Sequence, residues 1–344
     1  MRYQPLGRTG IEVSAICLGT MTWGEQNTPK EGFAQMDHAL AGGINFFDTA
    51  EMYPVDVRAE TYGHTEVIIG DWLTERRCRD QIILASKACG PGQSHIRGGD
   101  CRFTRETIHT ACEGSLKRLR TDYIDLYQLH WPDRGWTDFK DLGQTQVIED
   151  AGSDREETVA ALDELIQAGK IRAWGISNES AWGVMDFVAR ADTGRVSRPA
   201  SIQNAYSLLN RKFEFALAEI ALREHVGLLA YAPIAAGVLS GKYLDGARPP
   251  GARNTLWPSN TRYFSNQAQS ATRAYVQLAG ELGLSPEVLA HAFVLSRPFL
   301  TASIVGATRI EHLDQAFAAL DYTISDELAS RLEELHREYL VPAP

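Results

Sequence analysis

The chain of 344 residues contains no run approaching the roughly 18 consecutive apolar residues of a membrane span. No membrane association is expected. Its start, Met1-Arg2-Tyr3-Gln4-Pro5, lacks the apolar core of a signal peptide. Cysteine is scarce: five residues, at 17, 78, 89, 101 and 112, an odd number without a CxxC pair. That excludes a disulfide framework or a zinc ribbon. Cys17 lies in an apolar, strand-like run and reads as core, and the others read as ordinary thiols of a reducing, cytoplasmic setting. The nine histidines form no HExxH cluster, so no metal site is expected. Positive charge is in deficit, 34 Lys and Arg against 44 Asp and Glu, a net charge of −10. Broad binding to nucleic acid or an anionic membrane is disfavoured, although a local basic pocket for a phosphate is not. No GxGxxG follows the first strand-like run, which argues against a Rossmann fold. Nothing reads as a linker, and the economical expectation is one domain over residues 1–344.

What is present is an alternation of strand and helix signals. Apolar runs at 15–18, 44–48, 82–87, 123–130, 171–177, 200–204, 227–231 and 301–305 read as eight strands. Between them, helices are expected at Lys30–Ala41, Thr65–Arg76, Arg105–Leu119, Glu156–Ala168, Ala181–Ala191, Phe213–Glu224, Pro286–Ser296 and Ile310–Leu320. Most repeats are near 40 residues, the spacing of a βα unit, and the pattern predicts an α/β fold, a (β/α)8 barrel. Residues 3–13 read as a hairpin plugging the closed end. Ser180 is placed as an N-cap, Gly42-Gly43 and Gly169 as helix ends, and Pro286 as a first helical residue. Two long polar segments, 132–154 and 232–267, leave the same face and read as lids or binding elements. Residues 325–339 have helical apolar spacing and are expected outside the barrel.

Three expected strands end in an ionisable side chain: Asp48, Lys87 and His130. Tyr53 follows Asp48 by five positions. In a parallel barrel all strand C-termini open on one face, so the four can converge. A free phenol has a pKa of about 10. An ammonium beside it lowers that value, and Lys87 can supply one, held by Asp48. His130 can orient a carbonyl oxygen, and Tyr53 can protonate that oxygen as a hydride arrives at carbon. Asp48 with Lys87 also reads as a structural ion pair. Beyond them, Ser177, Asn178 and Gln203 stand at strand ends where they can hydrogen-bond a carboxamide. Tyr231 can stack on a nicotinamide ring or serve as core. Gly306-Ala307-Thr308-Arg309 opens a helix, a phosphate site in which Arg309 can pair with a 2′-phosphate or remain a surface arginine.

Phe47-Asp48-Thr49-Ala50-Glu51-Met52-Tyr53, Ala85-Ser86-Lys87 and Leu126-Tyr127-Gln128-Leu129-His130-Trp131-Pro132 resemble the signatures of the aldo-keto reductases. The likeness runs from Leu18 to Leu313. It is nearest to the bacterial Tas-like branch through Ala50–Pro54, Gln203–Arg211 and Gly251–Leu256. The resemblance implies a barrel, an NADPH cofactor and the tetrad Asp48, Tyr53, Lys87 and His130. It also implies a cofactor set of Thr20, Met21, Asp48, Ser177, Asn178, Gln203, Tyr231, Ala232, Pro233, Ile234, Ala235, Gly237, Lys242, Arg253, Gly306, Thr308, Arg309, His312 and Gln315. Within that set, Ala235–Lys242 looks like the pyrophosphate belt, and Arg253 matches an arginine that some relatives place near the 2′-phosphate. Where the family carries a Glu-Asn pair at adenine, this chain has Gln315-Ala316, and Ala316 cannot hydrogen-bond.

For substrate, Trp23, Met52, Trp131 and the loop 132–154 are expected to wall the pocket around Tyr53 and His130. Aromatic walls suit planar or apolar aldehydes and ketones, while Trp131 reads equally as packing. The leading expectation is therefore an NADPH-dependent carbonyl reductase. A second is an NADPH-binding regulatory subunit resembling potassium-channel beta subunits. A third is a lyase using Lys87 as a Schiff-base nucleophile, against which Asp48 argues by keeping the amine protonated. The sequence leaves homo-oligomerisation open.

Overall fold

The structure is a computed structural model that describes residues 1–135, 145–146, 148–150 and 152–344. Two short strands, β1 (Tyr3–Pro5) and β2 (Glu12–Ser14), form an antiparallel hairpin. Eight further strands follow: β3 (Ile16–Gly19), β4 (Phe46–Asp48), β5 (Ile83–Ala88), β6 (Ile124–Leu129), β7 (Ile171–Ser177), β8 (Ser201–Ala205), β9 (Gly227–Tyr231) and β10 (Leu300–Gly306). They close into an all-parallel barrel in which β10 returns to pair with β3. The strands are apolar on both faces because both are covered, as parallel sheets require.

Around the barrel lie α1 (Pro29–Ala41), α2 (His64–Arg76), α3 (Arg105–Leu119), α4 (Arg155–Gln167), α5 (Ala181–Asp192), α6 (Leu217–Glu224), α7 (Arg253–Leu256), α8 (Asn266–Glu281), α9 (Pro286–Leu295), α10 (Ile310–Leu320) and α11 (Asp326–Tyr339). Their starts are chemically marked. Thr28 and Glu31 form a capping box on α1, Ser180 accepts from the Gly183 N–H on α5, and Ser285 precedes Pro286 on α9. Gly169 has φ +71°, the left-handed turn expected after α4. After α1 it is Gly43, at φ +84°, that turns left-handed, while Gly42 is the cap at φ −78°.

Two expectations are corrected. The helix expected over Phe213–Glu224 is broken: Lys212–Phe215 forms a 3-10 turn, and Ala216 at φ −147° separates it from α6. The break lets Phe213 reach into the core against Phe299, ring centroids 5.3 Å apart, while Phe215 faces solvent. The second is α8, a 16-residue helix that the sequence reading does not include. Its buried face is Ala268, Ala271, Thr272, Tyr275, Leu278 and Ala279. The helical period is present, but alanine and threonine carry most of it, so it does not stand out as an apolar stripe.

Side chains alternate along a strand, and this alternation layers the barrel interior. Cys17, Phe46, Ala85, Leu126, Ala173, Leu229, Ala302 and Ile304 form one buried cluster with Leu6, Ile11 and Val13 of the hairpin. The hairpin thus closes the N-terminal end, as expected. Two positions further along their strands, on the same faces, stand Asp48, Lys87 and Gln128. Among the described residues no single helix is long and apolar enough to cross a membrane.

Candidate active site

The barrel registers Asp48 beside Ala85, and Lys87 beside Gln128. Asp48 is 3% exposed and Lys87 fully buried. Lys87 Nζ donates to Asp48 Oδ2 at 2.6 Å and to the Thr49 carbonyl at 2.8 Å, and lies 3.5 Å from Tyr53 Oη. Asp48 Oδ1 accepts from the side-chain amides of Gln128 at 3.1 Å and Gln203 at 2.9 Å, and Gln203 also donates to Gln128 Oε1 at 3.0 Å. The Asp48 carboxylate is thereby satisfied on both oxygens. A buried charge pair is tolerable only with such additional hydrogen bonds. Thr20 fixes the main chain here through its hydroxyl, which donates to the Asp48 carbonyl at 2.9 Å.

Tyr53 comes from the segment after β4 and turns back over Lys87, with Nζ 4.9 Å from its ring centroid. The His130 ring meets Tyr53 edge-on at 5.7 Å and packs against Trp131 at 4.9 Å. The four tetrad residues therefore converge on the C-terminal face. Burial raises the Tyr53 pKa above its usual value, and the Lys87 ammonium beside it offsets part of that rise. Burial pulls the Lys87 pKa down, but Asp48 and Tyr53 outweigh it, and the net shift is upward. Burial and then Lys87 hold His130 well below the ordinary histidine value, so its imidazole is neutral at neutral pH. Its Nδ1 is buried without a hydrogen-bond partner among the described residues.

The nicotinamide-side candidates form a second network. Tyr231 donates to Asn178 Oδ1 at 2.8 Å. The Asn178 side-chain amide donates to the His130 carbonyl at 2.9 Å and to Ser177 Oγ at 3.2 Å, and Ser177 Oγ in turn donates to the Gln203 carbonyl at 2.8 Å. Burial pushes the Tyr231 phenol up to about 12. Met21 packs against the cluster of Ala50, Met52, Tyr53, Cys89, Ile96 and Cys101, together with Val55, Val57, Tyr62 and Trp131. This is an apolar rim beside Tyr53. Trp131 donates its indole N–H to the Pro91 carbonyl at 3.1 Å.

Beyond β9 the chain winds left-handed at Ala232, Ala235, Ala236 and Gly237, with Pro233 and Ile234 between. The Ala235 and Gly237 N–H groups close this loop on itself, donating to the Ala232 and Ile234 carbonyls at 2.8 and 2.9 Å. Lys242 lies against Gly237: a Cβ there would meet Lys242 Nζ at 3.0 Å. Burial holds Lys242 below its usual value, with Glu287 opposing and Arg309 adding to the drop, and burial, then Lys242 and Arg309, hold His312 below its own against Glu311. The Lys242 and Arg309 charges thus both reach His312, itself neutral, near the start of α10. His312 Nδ1 accepts from the Thr308 N–H at 3.3 Å, and Gly306 is exposed at the end of β10. A dinucleotide phosphate fits this group, because an anion would relieve the mutual repulsion.

Several expected residues stand elsewhere. Trp23 walls no pocket: it is fully buried, its indole N–H donates to Gln35 Oε1 at 2.9 Å, and its ring packs on Gly32 of α1. An apolar ring on a short loop is drawn under the adjacent helix rather than left at the mouth. Gln203, by contrast, stays at the site, with its amide N–H groups on Asp48 and Gln128. Arg253 is half-buried at the start of α7, where its charge acts on Tyr263, Tyr53 and Tyr243. Gln315 is half-buried and Ala316 faces the core. In the expected lid 132–154, residues 136–144, 147 and 151 lie outside the described residues.

Gln128 was not among the expected site residues. Its signal was a polar side chain two positions before His130, which places it on the face of Leu126 inside the barrel, opposite to that of Asp125.

The sequence profile of the aldo/keto reductase family matches residues 15–337. "Protein tas" of Escherichia coli (strain K12) is 45% identical over the full length of both chains. "Uncharacterized oxidoreductase YrpG" of Bacillus subtilis (strain 168) is 33% identical over 97% of this chain and 96% of its own. A "probable voltage-gated potassium channel subunit beta" of Arabidopsis thaliana is 30% identical over 93% and 92%.

Proposed function

The chain belongs to the aldo/keto reductase family of oxidoreductases, which act on small carbonyl substrates with NAD(P)H, and from that premise we propose that it is an NADPH-dependent reductase of aldehydes and ketones with Tyr53 as general acid. The observation that carries the proposal is the contact of Tyr53 Oη with an ammonium that Asp48 holds in place. NADPH, when bound, supplies the hydride to the carbonyl carbon. Ser177, Asn178 and Tyr231 would hold its nicotinamide end. The left-handed segment 232–237 would face the pyrophosphate, and Lys242, Arg309 and His312 the 2′-phosphate.

Tyr53 is protonated at neutral pH and donates its proton to the carbonyl oxygen as charge develops there. Lys87 stabilises the phenolate left behind, and Asp48 keeps Lys87 charged and aimed. His130, neutral and fixed through its backbone, offers a ring N–H to the same oxygen and orients it. The apolar rim of Met21, Met52, Val55 and Trp131 suits planar or apolar substrates. The upward shift of Lys87 works against its use as a Schiff-base nucleophile, which needs a free amine. The one-domain reading over 1–344 accompanies this proposal.

The similarity to the Arabidopsis channel subunit favours a second reading, a cofactor-holding interaction subunit. Fluorescence titration with NADPH, followed by turnover with a carbonyl panel including 4-nitrobenzaldehyde, separates the two. Binding with turnover that Tyr53→Phe destroys supports the reductase. Tight binding without turnover, and a stable complex with a membrane partner, would favour the subunit.

A further inference from the structure

Tyr53 is not on a strand. It sits on a loop, and its separation of 3.5 Å from Lys87 is already at the outer limit of a hydrogen bond. Something must hold that loop in register with β5. The backbone does part of this: the Thr49 N–H donates to the Ala85 carbonyl at 2.9 Å and the Glu51 N–H to the Lys87 carbonyl at 3.2 Å, so the chain runs on beside β5 after β4 has ended. The remaining ties converge on one side chain. Glu51 is 0% exposed. Its Oε1 accepts from the Cys89 N–H at 2.5 Å and from Arg97, and its Oε2 accepts from the Tyr62 hydroxyl at 3.3 Å. Arg97, with a side chain 9% exposed, also donates to the Cys89 carbonyl at 3.2 Å. Gly63, the neighbour of Tyr62, donates its N–H to the Tyr53 carbonyl at 3.0 Å.

We infer that Glu51, with Arg97 as its counter-ion, is a positioning residue for the reduction: it pins the Tyr53 loop at both ends to the strand end that carries Lys87. The inference rests on the reading of Tyr53 as proton donor. Glu51 has no hydrogen bond to the phenol itself, whose ammonium neighbour is Lys87. Its effect is on distance. A buried ion pair contributes little net stability compared with well-packed apolar residues, whereas removing one member leaves the other uncompensated. Stability and positioning can therefore be separated.

The test compares wild type, Glu51→Leu and the double variant Glu51→Leu with Arg97→Met. Melting temperature, NADPH affinity by fluorescence, and kcat and KM with 4-nitrobenzaldehyde across pH are measured. The single variant should melt lower, because Arg97 loses its partner, and the double variant should recover. In both, kcat should fall by about 10²-fold, the cost of a misplacement on the order of 1 Å, with NADPH affinity nearly unchanged. The alkaline limb of kcat/KM should move to higher pH as Tyr53 loses contact with Lys87. Glu51→Gln, which keeps an acceptor for the Cys89 N–H, should retain most of kcat. Recovery of kcat together with melting temperature in the double variant would overturn the inference. Tyr53→Phe, run alongside, distinguishes the two levels. If it leaves turnover intact, the reading of Tyr53 fails and the inference with it. If it abolishes turnover while the double variant turns over like wild type, only the inference fails.

Discussion

Tyr53 donates a proton only while its phenol is protonated, and burial keeps it so beyond its ordinary range even with Lys87 beside it. His130 is neutral for the converse reason. Neither group changes charge near neutrality, so carbonyl reduction should be nearly independent of pH between about 6 and 9 and decline only above about pH 10, the value at which a free phenol ionises, because burial sets Tyr53 higher. A bell centred on pH 6.5 in kcat would contradict a neutral His130. Tyr53→Phe removes the proton but keeps the ring, and should lower kcat by about 10²–10⁴-fold, the usual worth of a general acid, with NADPH affinity close to wild type. Equal losses of binding and turnover would remove Tyr53 from that role. Arg309 and Lys242 both bring their charge to the neutral His312. Arg309→Ala should weaken NADPH by about 1–2 kcal/mol, the scale of a charged hydrogen bond, and NADH much less. An unchanged ratio of the two dissociation constants would place the 2′-phosphate elsewhere.

The elements divide the labour between the two ends of the barrel. The hairpin packs Leu6, Ile11 and Val13 into the interior, far along the strands from the polar end. Gly7 makes its turn at φ +56°, and a Cβ there would stand 2.5 Å from the Ala200 carbonyl oxygen. Gly7→Ala therefore meets both a left-handed backbone and a steric clash. It should cost about 1–3 kcal/mol in urea unfolding, with kcat of the folded protein unchanged. A loss of kcat with stability retained would mean that the hairpin reaches the active end. The strands, by contrast, were legible as apolar runs because parallel strands are buried on both faces. The helix α8 was not, because small residues make its buried face. The break at Ala216 was not, because Phe213 leaves the helical path to pack on a strand-end phenylalanine distant in sequence.

For the molecule as a whole, the buried histidines set the response to acid. His291 on α9 is 2% exposed, has no partner for Nδ1 among the described residues, and is held down to about 4, by burial first and His312 second. The unfolded chain binds its proton at about 6.5. The stability that neutral His291 contributes is complete above that value, declines as pH falls, and is gone once pH has passed through about 4. This amounts to on the order of 3 kcal/mol. His130 acts in the same direction. The unfolding free energy should fall steadily from pH 7 to pH 4.5, and His291→Gln should show a shallower fall. Identical slopes would mean that His291 is already protonated or hydrated in the folded state.

The sequence by itself determined the class of fold and the tetrad. The fold and three of the four residues are written in local terms: an apolar run of strand length, a helical period, an ionisable residue where the run stops; Tyr53 lies on the loop five positions past Asp48. Parallel closure then brings every such residue to one face, whatever its distance along the chain. Only the tertiary structure decided what each side chain does at that face. It set Gln128 and Gln203 on Asp48, drew Trp23 under α1, and gave Glu51 its ties to Cys89, Arg97 and Tyr62. These outcomes depend on contacts between segments far apart in the chain and on which polar atoms remain buried once the strands are in register. Spacing along a chain specifies which face a residue occupies, but it does not specify the partners that meet it there.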